Sequence, residues 1–412
     1  MKTRIVQSFN KNNLYYYVIY GMIYELSFRL YNPYQVKFLE RIGGSDLDIS
    51  LFNSLPGLIM VFTTLPAILI MKNIKSLNIT SQMIILQRFF VLLYALIPLV
   101  PQPLRPLTFI FLTALMSIPN ALYTNGFQSL TAELFLPEER ALAISLKSRY
   151  GVIIITIVTY VTGQILTILP RSDGERIFFY QLFFITAFLL SFIEYLSLKK
   201  LKPIQHSHNT SEPFFTVMKD IFHNKPFLLY LTCSLIFHFG WQMGWPLFSI
   251  YTIKNLGADE QWLAITSIAS MLTMFVGYFF WPGLIEKFGN PLIVAICTLG
   301  MSTTPLMYII SKDLYTLTFM AALTGIFTSG TLTVLLSSLF EVIPTKNRIF
   351  YMGVYTTFTN VTLSIAPIIG HYFSTLHSIQ FALLMTTVFR LLGGISFILR
   401  NRKIRLSMDV SN

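Results

Sequence analysis

Two stretches, SLTAELFLPEER at 129–140 and SSLFEVIPTKNR at 337–348, decide how this chain is read. Glu133 stands seven residues before Arg140, and Glu341 stands seven before Arg348. Both pairs share one offset of 208 residues (341 − 133 and 348 − 140), and each encloses a proline, Pro137 or Pro344. A second match lies further out. NPYQVKFLERIGGSDLDIS at 32–50 resembles WPLFSIYTIKNLGADEQWL at 245–263. Pro33 aligns with Pro246, and Ile42-Gly43 aligns with Leu256-Gly257 after one gap. Two matches in the same order, at similar offsets, point to a duplicated unit.

Around these stretches the chain is apolar. Of 412 residues, 54% are hydrophobic and 12% charged, with mean hydropathy +0.63. A soluble domain carries about 25% charged residues, so most of this surface cannot face water. Aromatic residues make up 15%, which suits membrane interfaces. Disorder is excluded, because it requires low hydrophobicity. A bilayer core needs about 20 apolar residues in a helix. Twelve such runs occur, at 14–35, 50–71, 79–99, 106–132, 143–169 and 177–198, then at 227–252, 262–284, 291–311, 314–340, 349–374 and 379–399. They are numbered spans 1 to 12. The expected fold is an all-α membrane protein of twelve transmembrane helices, arranged as two pseudo-symmetric six-helix bundles.

The net charge of +12 follows from topology rather than from nucleic-acid binding. With the N-terminus inside, the cytoplasmic segments hold twenty Lys or Arg and the outer segments seven; Arg29, Arg88 and Arg390 lie within spans. Cytoplasmic loops carry this excess, so both termini are expected in the cytoplasm of a cell-membrane protein. Cys233 and Cys297 lie in apolar runs and form no disulfide framework. The N-terminus MKTRIVQSFNKNN lacks the apolar core of a cleaved signal peptide, so span 1 serves as the insertion signal. The longest connector, 199–226, separates an N-terminal bundle (1–198) from a C-terminal one (227–412). Within it, Phe214, Phe215, Met218, Ile221 and Phe222 share one helical face, the pattern of a helix lying along the membrane. Duplicated halves of six spans keep one orientation. Such repeats place a site between the halves near the bilayer midplane, exposed to each side in turn.

The chain resembles the major facilitator superfamily over nearly its whole length. The most specific local match is WPGLIEKFGNP at 281–291, where Gly283, Glu286, Lys287 and Gly289 stand where the family has a cytoplasmic glycine-acid-base-glycine loop. The equivalent stretch after span 2, LPAILIMKNIKSLN at 65–78, keeps only Lys72 and Lys75. The resemblance implies that Glu133, Arg140, Glu341 and Arg348 form a cytoplasmic gate that pairs in the outward-facing state. Anchoring of helix ends by charge is the plainer reading. Pro367-x-x-Gly370 in span 11 is similar to an antiporter motif that the family carries in span 5, and it points to export. The resemblance also implies a monomer.

Charged groups inside spans cost about 2.5–3.5 kcal/mol each on insertion scales. Glu25 and Arg29 lie four apart on span 1 and can pair. Glu25 is the candidate proton-coupling group, since acids inside spans mark proton relays; a static pair with Arg29 is the alternative. Span 7 places His238, Trp241, Gln242 and Trp245 on one face, which suits a ligand pocket or, for the tryptophans, an interfacial belt. Span 4 adds Asn120 and Tyr123, and span 11 adds Asn360. Arg88 and Arg390 either bind neighbouring helices or, if they reach the cavity, favour an anionic substrate. No phosphate-binding Gly-x-x-x-x-Gly-Lys-Ser/Thr loop occurs, and His206 and His208 read as solvated, so no cofactor or metal is expected.

These features together predict a secondary transporter of a small organic molecule, coupled to protons and exporting. A lipid scramblase or an intramembrane enzyme is the alternative. Topology is testable first. Lys312→Cys should react with an impermeant thiol reagent in intact cells, and Ser207→Cys only after permeabilisation; the reverse pattern overturns the assignment.

Overall fold

A computed structural model describes residues 11–71, 74–204, 213–344 and 347–409. Among them the chain is helical with short connectors and contains no strand. Lys2, Arg4, Lys72, His206, His208 and Lys346 lie outside the described residues. Helices occupy every expected span. Ten are long and apolar enough to cross a membrane, and Lys11–Arg29 (span 1) and Lys225–Ile250 (span 7) are not among these ten. The reason is their content. Span 1 carries Glu25, Arg29 and a run of tyrosines, and span 7 carries His238, Gln242 and two tryptophans. The polar side chains nominated as functional are those that lower the hydropathy of these two helices.

The duplication is visible in packing. In the first half, span 1 packs on spans 5 and 6, and span 3 on spans 4 and 6. In the second half, span 7 packs on spans 11 and 12, and span 9 on spans 10 and 12. Each contact has its counterpart six spans on. Gly43 and Gly257, matched in sequence, both adopt positive φ, +99° and +69°. An L side chain is strained there, so both halves turn from odd to even span on a glycine.

Two compact units form, Met1–Gly44 with Phe62–Thr210 and Ser45–Val61 with Ser211–Asn412. The N-terminal part of span 2 (Asp46–Met71) thus belongs to the second unit. There Asp46 pairs with Lys254. A Cβ on Gly57 would lie 2.8 Å from Leu363 Cγ, so span 2 and span 11 touch closely at that glycine.

Prolines set the ends and breaks. Pro33 closes span 1 in a short 3-10 turn, Asn32–Tyr34, before the helix Gln35–Arg41. Pro305 divides span 9 into Asn290–Ser302 and Thr304–Ile310. A proline cannot donate to the carbonyl four residues back, here that of Met301. Arg390 Nη1 donates to that carbonyl at 2.8 Å, while Nε and Nη2 donate to Gly240 and Trp241 carbonyls at 3.2 and 3.1 Å. Arg390 is fully buried and ties span 12 to spans 7 and 9. Several spans begin on side-chain caps: Ser172, Asn224, Asp259 and Asp313 each accept a backbone N–H three residues on. Such caps satisfy orphan donors. The bonds from Thr316 also hold the Asp313 carboxyl below the usual range.

One expectation is corrected. Gly283, Glu286 and Lys287 lie inside the helix Glu260–Phe288 (span 8), and only Gly289, at φ +80°, leaves it. Glu and Lys are good helix formers, so the helix runs on until the glycine stops it. The connector helix forms at Phe214–His223, with Val217 and Ile221 buried, Phe214 against Phe350, and Phe215 and Phe222 exposed.

Arg88 of span 3 (Ser76–Tyr94) is also fully buried. Its Nη2 lies 3.3 Å from Glu194 Oε1 of span 6 (Asp173–Lys199), and its Nη1 donates to the Tyr31 hydroxyl at 2.8 Å. Removing one partner of a buried pair costs about 3–5 kcal/mol, whereas replacing both can be neutral. Arg88→Met should therefore lower the melting temperature strongly. Adding Glu194→Leu should restore most of the loss, measured by thermal unfolding in detergent.

Candidate functional site

In the first unit, span 1 and span 5 (Pro137–Ile168) meet through a reciprocal arrangement. Lys147 crosses Gly21: a Cβ there would lie 2.3 Å from Lys147 Cγ. Glu25 crosses Gly151, where a Cβ would lie 3.5 Å from Glu25 Cγ. Gly21 and Glu25 are four residues apart, as are Lys147 and Gly151, so each pair shares a helix face. A long charged side chain on each helix lies over a glycine on the other.

Arg29 Nε lies 3.5 Å from Glu25 Oε2, with side chains 17% and 26% exposed. Neither of these two atoms makes a hydrogen bond. The expected Glu25–Arg29 contact thus exists as a loose ion pair. The Lys147 ammonium rests over Phe127, 4.6 Å from the ring centre, and 5.6 Å from the centre of Tyr17. Among the described residues no carboxylate comes within ion-pair distance of it.

A column of rings from spans 1 and 4 (Arg105–Leu134) backs this cluster. Tyr17 stacks on Phe127, Phe127 on Tyr123, Tyr123 on Tyr24 and Tyr24 on Phe28, with centres 5.6–5.9 Å apart. Lys147 covers one end, and Arg88 lies 5.1 Å over Tyr24 near the other. Tyr123 is also hydrogen-bonded to the Tyr20 hydroxyl. Asn120 accepts from Gln87 of span 3 at 2.6 Å, so its amide oxygen is engaged in helix packing.

In the second unit, Gln242 binds span 11 (Arg348–Leu376): Nε2 donates to the Thr359 carbonyl at 3.2 Å, and Oε1 accepts from Thr362 at 2.6 Å. His238 Nδ1 lies 2.8 Å from the Ser234 carbonyl, and its ring meets those of Trp241 and Tyr355 at 5.6 and 6.0 Å. Trp241 packs edge-on against Trp245, which is exposed. Asn360 is buried on span 11 beside Thr359. His238, Trp241 and Gln242 therefore gather with span 11, where Gln242 is engaged in packing between the two helices.

The paired acids Glu133 and Glu341 keep equivalent partners. Glu133 accepts from Ser76, the first residue of span 3, at 2.6 Å, and Glu341 accepts from Asn290, the first of span 9, at 2.7 Å. The arginines do not reach these acids. Arg140 donates to the Ala132 and Phe135 carbonyls at the end of span 4, and Arg348 lies over Phe340. Among the described residues no cluster of three His, Cys, Asp or Glu could hold a metal.

Sequence reasoning missed two charges. Glu194 was passed over near the end of span 6, although its run FIEYLSL is otherwise uncharged. Lys147 lies in the apolar helix Leu142–Ile168, inside the expected span 5, although the charge count assigns it to the cytoplasmic segments. Helical spacing to Gly151, opposite Gly21 and Glu25, was the available signal.

The sequence profile of the Major Facilitator Superfamily matches residues 17–243 and again 230–406. The chain belongs to that family. No curated protein matches this sequence. Solved structures share the fold. One is a mutant of the nucleoside transporter NupG, with TM-score 0.73 and 11% identity, covering 93% of this chain and 99% of that one. Another is a bacterial homolog of the human lysosomal transporter Spinster, inward-facing. Its unoccupied and occupied forms give TM-scores 0.67 and 0.69 at 12% and 11% identity, each covering 94% of this chain and 96% of that chain.

The glycine–lysine crossing can be checked by a double-mutant cycle. Gly21→Ala should cost about 1–3 kcal/mol by overpacking. Combined with Lys147→Ala, the same change should cost measurably less, because the methyl then fills vacated space.

Proposed function

We propose that this chain is a secondary active transporter that carries a small organic molecule by alternating access, with protons as the coupling ion. It acts through the two six-span halves joined by the 199–226 connector. The observation that carries the reading is Glu25. It is an acid within span 1 whose contact with Arg29 lacks a hydrogen bond and whose neighbour across the helix interface is a lysine. A carboxyl group held this loosely can exchange a proton for a change of partner, which a coupling site requires. Trp241, Trp245, His238 and Gln242 are the substrate-contacting candidates of the second unit, and Tyr123 with its ring column those of the first.

Glu133, Arg140, Glu341 and Arg348, with the span 8 residues Gly283, Glu286, Lys287 and Gly289, serve as the cytoplasmic gate in this reading. A gate needs contacts that exist in one state only. The arginines here bind carbonyls and rings rather than the acids, which leaves acid–arginine pairing for the other state. The motif that pointed to export has a packing role. A Cβ on Gly370 would lie 2.7 Å from the Met243 carbonyl, so this glycine lets spans 7 and 11 touch, and the export direction rests on the resemblance alone.

Proteoliposomes loaded with a substrate found by screening sugars and amphipathic compounds would test the coupling. Glu25→Gln should abolish accumulation driven by a pH gradient while retaining substrate exchange. Unchanged gradient-driven accumulation would remove Glu25 as the proton carrier.

A further inference from the structure

We infer that the first unit binds an anionic phospholipid where span 3 begins and span 6 ends, with its phosphate held by Lys75, Lys199 and Lys200. The chain itself orders this end. Asn13 of span 1 clamps the backbone of Lys202: its Nδ2 donates to the Lys202 carbonyl at 2.8 Å, and its Oδ1 accepts the Lys202 N–H at 2.9 Å. The Ile204 N–H donates to the Glu133 carbonyl at 2.9 Å. Leu198 and Leu201 are buried in a cluster with Tyr17, Leu134 and Phe135. The segment that follows span 6 is therefore part of the folded unit, and the lysines on it start from a fixed backbone.

Charge is unbalanced here. Lys199 Nζ donates to Asn78 Oδ1 of span 3 at 3.1 Å. Asn78 lies three residues after Lys75, the N-cap of that helix. The two spans thus place Lys199, its neighbour Lys200 and Lys75 along one edge, all three exposed. Among the described residues the lysines in ion pairs are Lys37 and Lys254, elsewhere in the chain. The carboxylate of Glu133 is buried and taken up by Ser76 and Ser129. An ammonium group has three donors, and Lys199 gives one to Asn78, so the edge keeps both charge and donors to offer.

The surface beyond the lysines names the ligand. On span 6, Leu189, Ile193, Leu196 and Lys200 follow one another at three- and four-residue steps, which is one helix face, and all are exposed. On span 3, Lys75, Asn78, Gln82, Leu86 and Phe89 do the same. Asn78 meets Lys199 and Arg88 meets Glu194, so the two helices run antiparallel. Each stripe is therefore polar or charged at the same end and apolar further in. At 1.5 Å per residue, Lys75 to Gln82 covers about 10 Å, comparable with the headgroup layer of a bilayer. Exposed apolar side chains deeper in a span meet hydrocarbon. A phosphodiester answers the lysines, the amides of Asn78 and Gln82 suit the glycerol esters, and acyl chains lie along the stripes. A free anion would use the lysines and leave the stripes unused. Topology alone asks for lysines on one side of the membrane; it does not ask that they crown apolar stripes on two packed helices. The site is independent of the transporter reading.

The purified full chain, delipidated in detergent, is probed with dioleoyl phosphatidylglycerol. Dioleoyl phosphatidylcholine is the zwitterionic control and glycerol 3-phosphate the control without chains. Phosphatidylglycerol should raise the melting temperature and stay bound in native mass spectrometry, and the controls should do neither. Lys75→Gln, Lys199→Gln and Lys200→Gln together should weaken phosphatidylglycerol binding about fivefold per lysine, about a hundredfold in all. The same three positions changed to Arg should retain binding, which keeps the test decisive if the glutamine variant fails to fold. Lys219→Gln, Lys225→Gln and Lys312→Gln remove equal charge from other positions and should leave binding intact. Equal stabilisation by the two lipids, glycerol 3-phosphate binding as tightly as the lipid, loss of binding in the arginine variant, or the same loss in both glutamine variants would each overturn the site.

Discussion

A charge inside a lipid-spanning helix must be answered from within the protein, because the bilayer core offers no water to solvate it. That constraint organises much of this molecule. Arg88 is answered by Glu194 and the Tyr31 hydroxyl, which ties spans 1, 3 and 6 together. Arg390 is answered by three carbonyls, one of them freed by Pro305, which ties spans 7, 9 and 12 together. Each buried arginine thus sits where three helices meet and converts an insertion cost into a specific packing arrangement. The solutions differ between the halves, so the duplicated helix contacts have diverged at their most expensive positions.

Small residues are the complement of these long side chains. Gly21 and Gly151 admit Lys147 and Glu25, Gly240 lets span 7 approach the Arg390 backbone, and Gly370 lets span 11 approach span 7. Membrane helices lack a hydrophobic force between them and associate by close packing and hydrogen bonds. A glycine therefore does two jobs here. It shortens the distance between helices, and it opens the lateral space through which a charged stem reaches a partner.

The fold was largely legible because its signals are summed over many residues. Twelve apolar runs, an even charge alternation and the Glu133/Glu341 repeat each average out local noise. The match of Gly43 with Gly257 proved structural, since both carry positive φ. The site was less legible, for a physical reason. Whether Arg88 faces a partner or a cavity depends on which residue of span 6 stands opposite, and periodicity within one helix does not report that. Lys147 escapes notice because a lysine near the end of a span looks like an anchoring charge. Glu286 and Lys287 were placed in a loop because polarity was read as a break, although both residues favour helix and only Gly289 stops it.

The two halves divide the chemistry unevenly, and that division bears on mechanism. The first unit holds the Glu25–Arg29 pair, Lys147 and the ring column. The second holds Gln242 locked to span 11, a histidine among aromatic rings, and a saturated arginine. Gln242 and Arg390 are held by neighbouring helix groups, whereas buried atoms without a hydrogen-bond partner among the described residues occur in both units, at Glu25 and Arg29 in the first and at Arg348, His371 and Arg400 in the second. Unsatisfied buried polar groups are costly, and a protein keeps them where a ligand supplies the missing partner in some part of its cycle. On that argument the unpaired atoms of each unit, Glu25 and Arg29 in the first and His371 and Arg348 in the second, mark the positions within that unit where a change of partner costs least.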